Sequence, residues 1–205
     1  MEILNTIFGG KTRVRIMRLF LLNPDKVYGV KSVIAGSRGK QREVERELAS
    51  FEKAGIIKPR RFYAEVKQKR NRKQKRVPLL GWMLNPSFIY VRELRSLLVN
   101  DLLTKNHNVA KRLGRGGHLK LVVLAGIFIQ NWESRVDLLV VGDTLHRGVL
   151  ERIIRSLEAE IGRELHYAIL ETSDFQYRMS IGDRLVRDIF DYPHQTVLNK
   201  GLIAE

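Results

Sequence analysis

"KQREVERELASFEKAGII", residues 40–57, decides how the first half of the chain folds. Val44, Leu48 and Phe51 follow one another at steps of four and three, which places them on one side of an α-helix. Gly55 takes the next place in that stripe. Glycine is the residue most often found just past a helix end, so the spacing stops the helix at Ala54. With the apolar face turned inward, Lys40, Gln41, Arg42, Glu45 and Arg46 turn toward solvent.

Upstream, "KTRVRIMRLFLL" (11–22) reads as a helix with Val14, Met17 and Leu21 on one face. Asn23-Pro24-Asp25 ends it, because proline cannot continue the hydrogen-bond ladder. "VYGVKSVIA" (27–35) suits a short second helix, and "GSRG" (36–39) suits a turn. Downstream, "RRFYAEV" (60–66) and "VPLLGWML" (77–84) can pair as strands, with "KQKRNRKQKR" (67–76) as the hairpin tip. That tip holds Lys67, Lys69, Arg70, Arg72, Lys73, Lys75 and Arg76 with no acidic residue among them. "NPSFIYVRELRSLLVNDLL" (85–103) gives a further helix with Val91, Leu94, Leu98 and Leu102 on one side. The basic, glycine-rich "KRLGRGG" (111–117) then reads as a boundary between a domain at 1–110 and another at 118–205.

The charge is divided as unevenly as the pattern. Residues 1–118 hold 27 Lys and Arg against 9 Asp and Glu, a balance of +18, whereas residues 119–205 hold 10 against 13. A strongly basic half points to a polyanion, most often nucleic acid. The chain has no cysteine, which excludes disulfides and thiolate metal sites. No apolar run reaches the ~20 residues of a membrane span, and the start lacks the order of a signal peptide. No membrane partner is therefore expected, and the expected location is cytoplasmic.

Beyond the boundary the periodicity changes. "LKLVVLAG" (119–126) and "RVDLLVVG" (135–142) are short apolar runs that suit buried strands. "TLHRGVLERIIRSLEAEIG" (144–162) is amphipathic, with Leu145, Val149, Ile153 and Leu157 inward. "RELHYAILE" (163–171) suits a third strand. "TSDFQYRMSIGDRLVRDIF" (172–190) suits one helix opened by a capping box of Ser173 and Gln176.

The order helix, short helix, turn, longer helix and hairpin is that of a winged helix-turn-helix domain. "REVERELASFEKAGIIKPRR" resembles the recognition-helix-to-wing passage of winged-helix transcriptional regulators, a resemblance covering residues 10–84. It implies that the 40–54 helix enters the major groove of double-stranded DNA while the wing grips phosphates. In such a groove Arg can donate two bonds to guanine and Gln can pair with adenine. The candidate contacts are Ser37, Arg38 and Lys40 at the helix N-terminus, then Gln41, Arg42 and Arg46 on the helix, and the seven tip charges on the wing. RNA is the other nucleic acid to consider, since Phe62, Tyr63 and Trp82 could stack on bases.

"LVVLAG", a loop and "SRVDLLVVGD" resemble the strand-loop-strand core of the nucleotidyltransferase superfamily, over residues 119–198. That family carries Gly-Ser after the first strand, Asp-x-Asp on the second, and a further carboxylate on a later strand; together the carboxylates hold two magnesium ions. Gly126 matches the glycine, but Ile127 stands in place of the serine. Asp137 matches the second aspartate, but Arg135 replaces the first, and "LHYAIL" (165–170) offers no carboxylate. A magnesium site needs hard oxygen ligands, and an arginine brings positive charge instead. Gly126, Arg135 and Asp137 are thus the remains of a degenerate active site, with no metal, no cofactor and no transferase activity expected. Glu133, Asp143, Glu171 and Asp174 are the remaining acidic candidates for a rebuilt metal site, and loop solvation or helix capping accounts for Asp143 and Asp174 better. Asp137 would be left to pair with Arg135 or to bond the backbone, and Arg135 to grip a nucleotide phosphate.

The expected fold is α+β, an N-terminal winged helix-turn-helix domain followed by a small α/β nucleotidyltransferase-like domain. The expected function is a sequence-specific DNA-binding transcriptional regulator. Its second domain would serve dimerisation, with a homodimer as partner, or sensing of a nucleotide or small-molecule effector. Two other readings stay open. One is an active nucleotidyltransferase that uses its basic half to bind tRNA or DNA; the other is a nucleic-acid-binding protein without sequence preference.

Overall fold

The computed structural model describes residues 3–67, 74–103, 106–131 and 134–203. It is a mixed α+β chain with two small sheets among the described residues. Contacts divide it into two units, Met1–Val99 with Ala159–Arg163, and Asn100–Glu158 with Glu164–Glu205.

The first unit is built round one helix. Helix α1 (Ile3–Ile7) leads into α2 (Lys11–Leu21), and α2 buries every residue from Val14 to Leu21. The expected stripe of Val14, Met17 and Leu21 is therefore only part of what it buries. Arg15 and Arg18 go in with the apolar residues, since α2 is packed on all sides. The Arg18 guanidinium, 1% exposed, donates from Nε to the Leu98 carbonyl and from Nη1 to the Glu160 carbonyl, each at 2.9 Å. Arg15 donates to the Ser37 carbonyl at 3.2 Å and faces Glu160 at 3.5 Å. Helix α2 stops at Leu21, where the Asn23 side chain donates back to the Leu19 carbonyl at 2.7 Å ahead of Pro24.

The second helix, α3 (Val30–Ser37), begins three residues later than its composition suggests. Tyr28 is held instead as a one-residue bridge to Trp82, with N···O distances of 2.8 and 2.9 Å. Gly81 makes the approach possible, because a Cβ there would run into the Tyr28 carbonyl and the Phe62 ring. Arg38 closes α3 in the left-handed region at φ 53°, and α4 (Gln41–Lys53) follows, ending with Ala54 as expected. Strands β1 (Ile57–Lys67) and β2 (Gln74–Leu84) pair in antiparallel register from Ile57↔Leu84 to Lys67↔Gln74. The hairpin is longer than expected at both strands, so Lys67, Lys75 and Arg76 lie in the ladder. Helix α5 (Val91–Leu103) starts at Val91 and not at Asn85, because the Asn85 amide and side chain bond back to the Ile56 and Gly55 carbonyls.

In the second unit, α6 (Asn106–Leu113) and a 3-10 turn (Gly114–Gly116) occupy the stretch read as a linker. Leu113 is fully buried and a Cβ on Gly116 would run into Leu150, so this segment packs as part of the unit. By contacts it belongs with the second unit, which takes up the chain from Asn100. Strands β3 (His118–Leu124), β4 (Leu138–Asp143), β5 (Tyr167–Glu171) and β6 (Gln195–Asn199) form one sheet in the order β5-β4-β3-β6. β4 runs parallel to β5, joined by α7 (Arg147–Ile161), and β3 is antiparallel to both its neighbours. The single helix expected over 172–190 is two, α8 (Thr172–Ser180) and α9 (Arg184–Phe190). Gly182 turns the chain between them at φ 66°, and Asp183 caps α9 by accepting from the Leu185 amide at 3.0 Å. The expected capping box of Ser173 and Gln176 does not form, since the N-cap of α8 is Glu171 and no side chain caps it.

Replacing Arg18 with alanine removes both of its carbonyl bonds from a buried side chain and opens a cavity. Arg18→Ala is expected to lower stability by about 3–5 kcal/mol, measured by urea denaturation followed by circular dichroism; a loss below about 1 kcal/mol would contradict this account of α2.

Candidate nucleic-acid interface and strand-loop-strand site

Helix α4 presents two faces of different chemistry. Val44, Leu48 and Phe51 are buried against the rest of the first unit, as their spacing predicts. On the opposite side, Arg42, Arg46, Ala49 and Lys53 are all exposed and follow one another at steps of four, three and four. Three of the four acidic residues of the helix, all but Glu43, are engaged away from that line. Glu47 pairs with Arg13 at 2.7 Å, while Arg13 also donates to Ser50 and stacks over Phe51. Glu45 accepts from Gln41 Nε2 at 2.8 Å, and Glu52 accepts from Trp82 Nε1 at 2.7 Å. The last of these bonds ties α4 to the hairpin.

The other candidate contacts fall on both sides of the surface. Arg38, Lys40 and Gln41 are exposed at or beside the start of α4, with Gln41 already engaged by Glu45. Ser37 is buried: its hydroxyl donates to the Val33 carbonyl at 2.7 Å and accepts from the Gly39 amide at 3.3 Å. It is a packing residue of α3, and a phosphate contact from its side chain is ruled out by that burial. Lys67, Lys75 and Arg76 lie on the paired strands of the hairpin. Lys69, Arg70, Arg72 and Lys73 lie outside the described residues. Lys53, Arg60 and Arg61 are exposed basic residues that the sequence reading left out. Lys53 was recoverable from its spacing of seven to Arg46, and the two arginines from "KPRR" at 58–61.

In the second unit, Gly126, Arg135 and Asp137 are not arranged as one site. After β3 the chain turns at Gly126, φ 53°, into a 3-10 turn over Gly126–Ile129. Asp137, 7% exposed, accepts from the Ile127 amide at Oδ1 and from the His166 amide at Oδ2, each at 2.9 Å. A side chain on Gly126 would collide with Asp137 Oδ1, so the glycine leaves room for the carboxylate as well as taking the positive φ. Of the two expectations for Asp137, backbone bonding holds. Pairing with Arg135 does not, because Arg135 is exposed and faces Asp188 at 3.5 Å. Ile127, in the place of the serine, is buried as a core residue.

The remaining acidic candidates are dispersed. Lys120 Nζ lies 2.7 Å from Asp143, and this ammonium is the chief reason the Asp143 carboxyl titrates below the ordinary aspartate range. Glu171 accepts from the Leu145 amide at 3.4 Å, and Asp174 pairs with Arg178 at 3.0 Å. Glu133 lies outside the described residues. Among the described residues no three histidine, aspartate or glutamate side chains converge as a metal site requires. One carboxylate with both oxygens turned to backbone amides does not fit a two-magnesium centre. The unit also carries a cavity of about 720 Å³, lined by Met179, Phe190, His194, Leu198, Leu202 and Ile203 among others. Among the described residues no helix is long and apolar enough to cross a membrane. No protein-family model, curated protein or solved structure matches the chain.

If Asp137 is a structural tie, its removal costs stability. Asp137→Ala, which leaves the buried Ile127 amide and the part-buried His166 amide without their acceptor, is expected to destabilise the protein by about 2–4 kcal/mol, with Gly126→Ala similarly harmful; a thermal-denaturation midpoint unchanged in both would contradict the role. Asp143 supplies a pH test. Its lowered folded value means that its contribution is present above the ordinary aspartate value of about 3.9 and lost as pH falls below it. Lys120→Met should therefore make the acid limb of the stability curve shallower below pH ~4, read from midpoints across an acid titration.

Proposed function

We propose that this chain is a sequence-specific transcriptional regulator that binds double-stranded DNA through a winged-helix first unit. Its second unit would be a catalytically inactive nucleotidyltransferase-like domain serving dimerisation or effector sensing. The observation that carries the reading is the solvent line of α4, where Arg42, Arg46 and Lys53 stand exposed while the acidic side chains Glu45, Glu47 and Glu52 are bonded elsewhere.

The division of labour follows from the chemistry. An α-helix fits the major groove, and guanidinium groups at its outer edge can reach the donor and acceptor pattern of the bases. The hairpin, anchored to α4 by the bond from Trp82 to Glu52, carries its lysines and arginines toward phosphates. Those contacts supply most of the affinity and little sequence information. The engagement of Asp137 with two amides supports the inactive reading of the second unit over the active nucleotidyltransferase. The same reading places the protein in the cytoplasm, where such a partner is found.

Salt dependence measures the wing's share. Each phosphate contact contributes about −0.9 to the slope of log K against log salt, so replacing the seven tip charges of 67–76 with serine should flatten the slope by about 3–6 units. Fluorescence anisotropy with a labelled 20–30 base-pair duplex checks it (a probe about two to three helical turns long). An unchanged slope would remove the wing from the interface.

A further inference from the structure

Resting on the DNA-binding reading, we infer that α4 selects for two guanines two base steps apart, with Arg42 and Arg46 as the specificity-determining residues. The two side chains are four residues apart on the outermost line of the helix, and both are exposed. Four residues advance a helix by about 6 Å, and successive bases on one strand are spaced by about 3.4 Å. A helix lying along the groove thus offers its two guanidinium forks to bases about two steps apart. Arginine donates in parallel to O6 and N7 of guanine, an acceptor pair that no other base presents in the major groove.

The neighbours on the line fit the same reading. Ala49, the next position, has a side chain short enough to let the helix approach the bases closely, and its methyl suits contact with a thymine methyl. Lys53 lies in the last turn, where a flexible ammonium suits a phosphate contact. Gln41 is less available for adenine, because one of its amide hydrogens is held by Glu45. The sequence preference of the helix therefore rests on the two arginines.

The test uses the full-length protein and a panel of duplexes of one length, competing against a labelled duplex. One set carries a single G-N-G step in an A·T background, a second carries the same step made with 7-deazaguanine, and a third is A·T only. The G-N-G duplexes are expected to compete about ten- to a hundredfold better than the A·T duplex, and 7-deazaguanine, which lacks N7, should abolish most of that advantage. Arg42→Lys and Arg46→Lys keep the charge but lose the fork, so each should lower the G-N-G preference while leaving the salt slope in place. Equal competition by all three sets, with a steep salt slope, would overturn the guanine assignment and leave DNA binding standing. Failure of every duplex to compete at low salt would overturn both.

Discussion

The first unit depends on the complete burial of α2. A helix that buries eight consecutive residues, Val14 to Leu21, cannot keep a solvent face there, and α1, α3, α4 and β2 pack against it. Two arginines had to be accommodated in that space. Arg18 is turned to advantage, since its guanidinium satisfies the Leu98 and Glu160 carbonyls with charge-assisted bonds. A buried guanidinium without such partners would cost several kcal/mol, so those two carbonyls fix where their segments lie. Once α2 is covered, α4 has only one way to sit. Val44, Leu48 and Phe51 go inward, and Arg42, Arg46 and Lys53 are left outside.

In the second unit Asp137 ties two backbone segments together. Asp137 reaches the turn after β3 and the entry to β5, ten and twenty-nine residues away in the chain. A carboxylate committed to two backbone amides has little left to offer a cation, and its neighbour Gly126 is shaped to receive it. Arg135, where a second carboxylate would be needed, faces outward to Asp188. The pairing of Gly126 and Asp137 is therefore accounted for by turn geometry and amide satisfaction.

What could be read from the sequence was what short-range periodicity encodes. The apolar stripe of α4, its end at Ala54, the hairpin, and the first two strands and long helix of the second half all follow from spacing, although α7 starts at Arg147 and buries Leu150, Ile154, Leu157 and Ile161 rather than Leu145, Val149 and Ile153. Two origins account for the misreadings, a partner far away in the chain and, at Ser37, local packing that spacing does not show. Tyr28 reads as helix until it is paired with Trp82, and Ser37 reads as exposed until Val33 and Gly39 close over it. Nothing local announces that Arg18 bonds carbonyls eighty or more residues on, or that Arg15 bonds one twenty-two residues on. The break between α8 and α9 was different, since Gly182 followed by Asp183 is a stop and a start signal visible in the sequence. Strand β6 was missed because its five residues are too short and too polar to show a period.

On the proposed reading, this chain chooses among duplex sequences. Selection of random double-stranded DNA on the purified protein at near-physiological salt, with the bound sequences read out, tests it most directly. An enriched motif containing guanines is the predicted result, and a palindromic motif would add that two copies bind together. Tight, salt-sensitive binding with no enriched sequence would contradict the claim and leave a protein that grips nucleic acid without reading it.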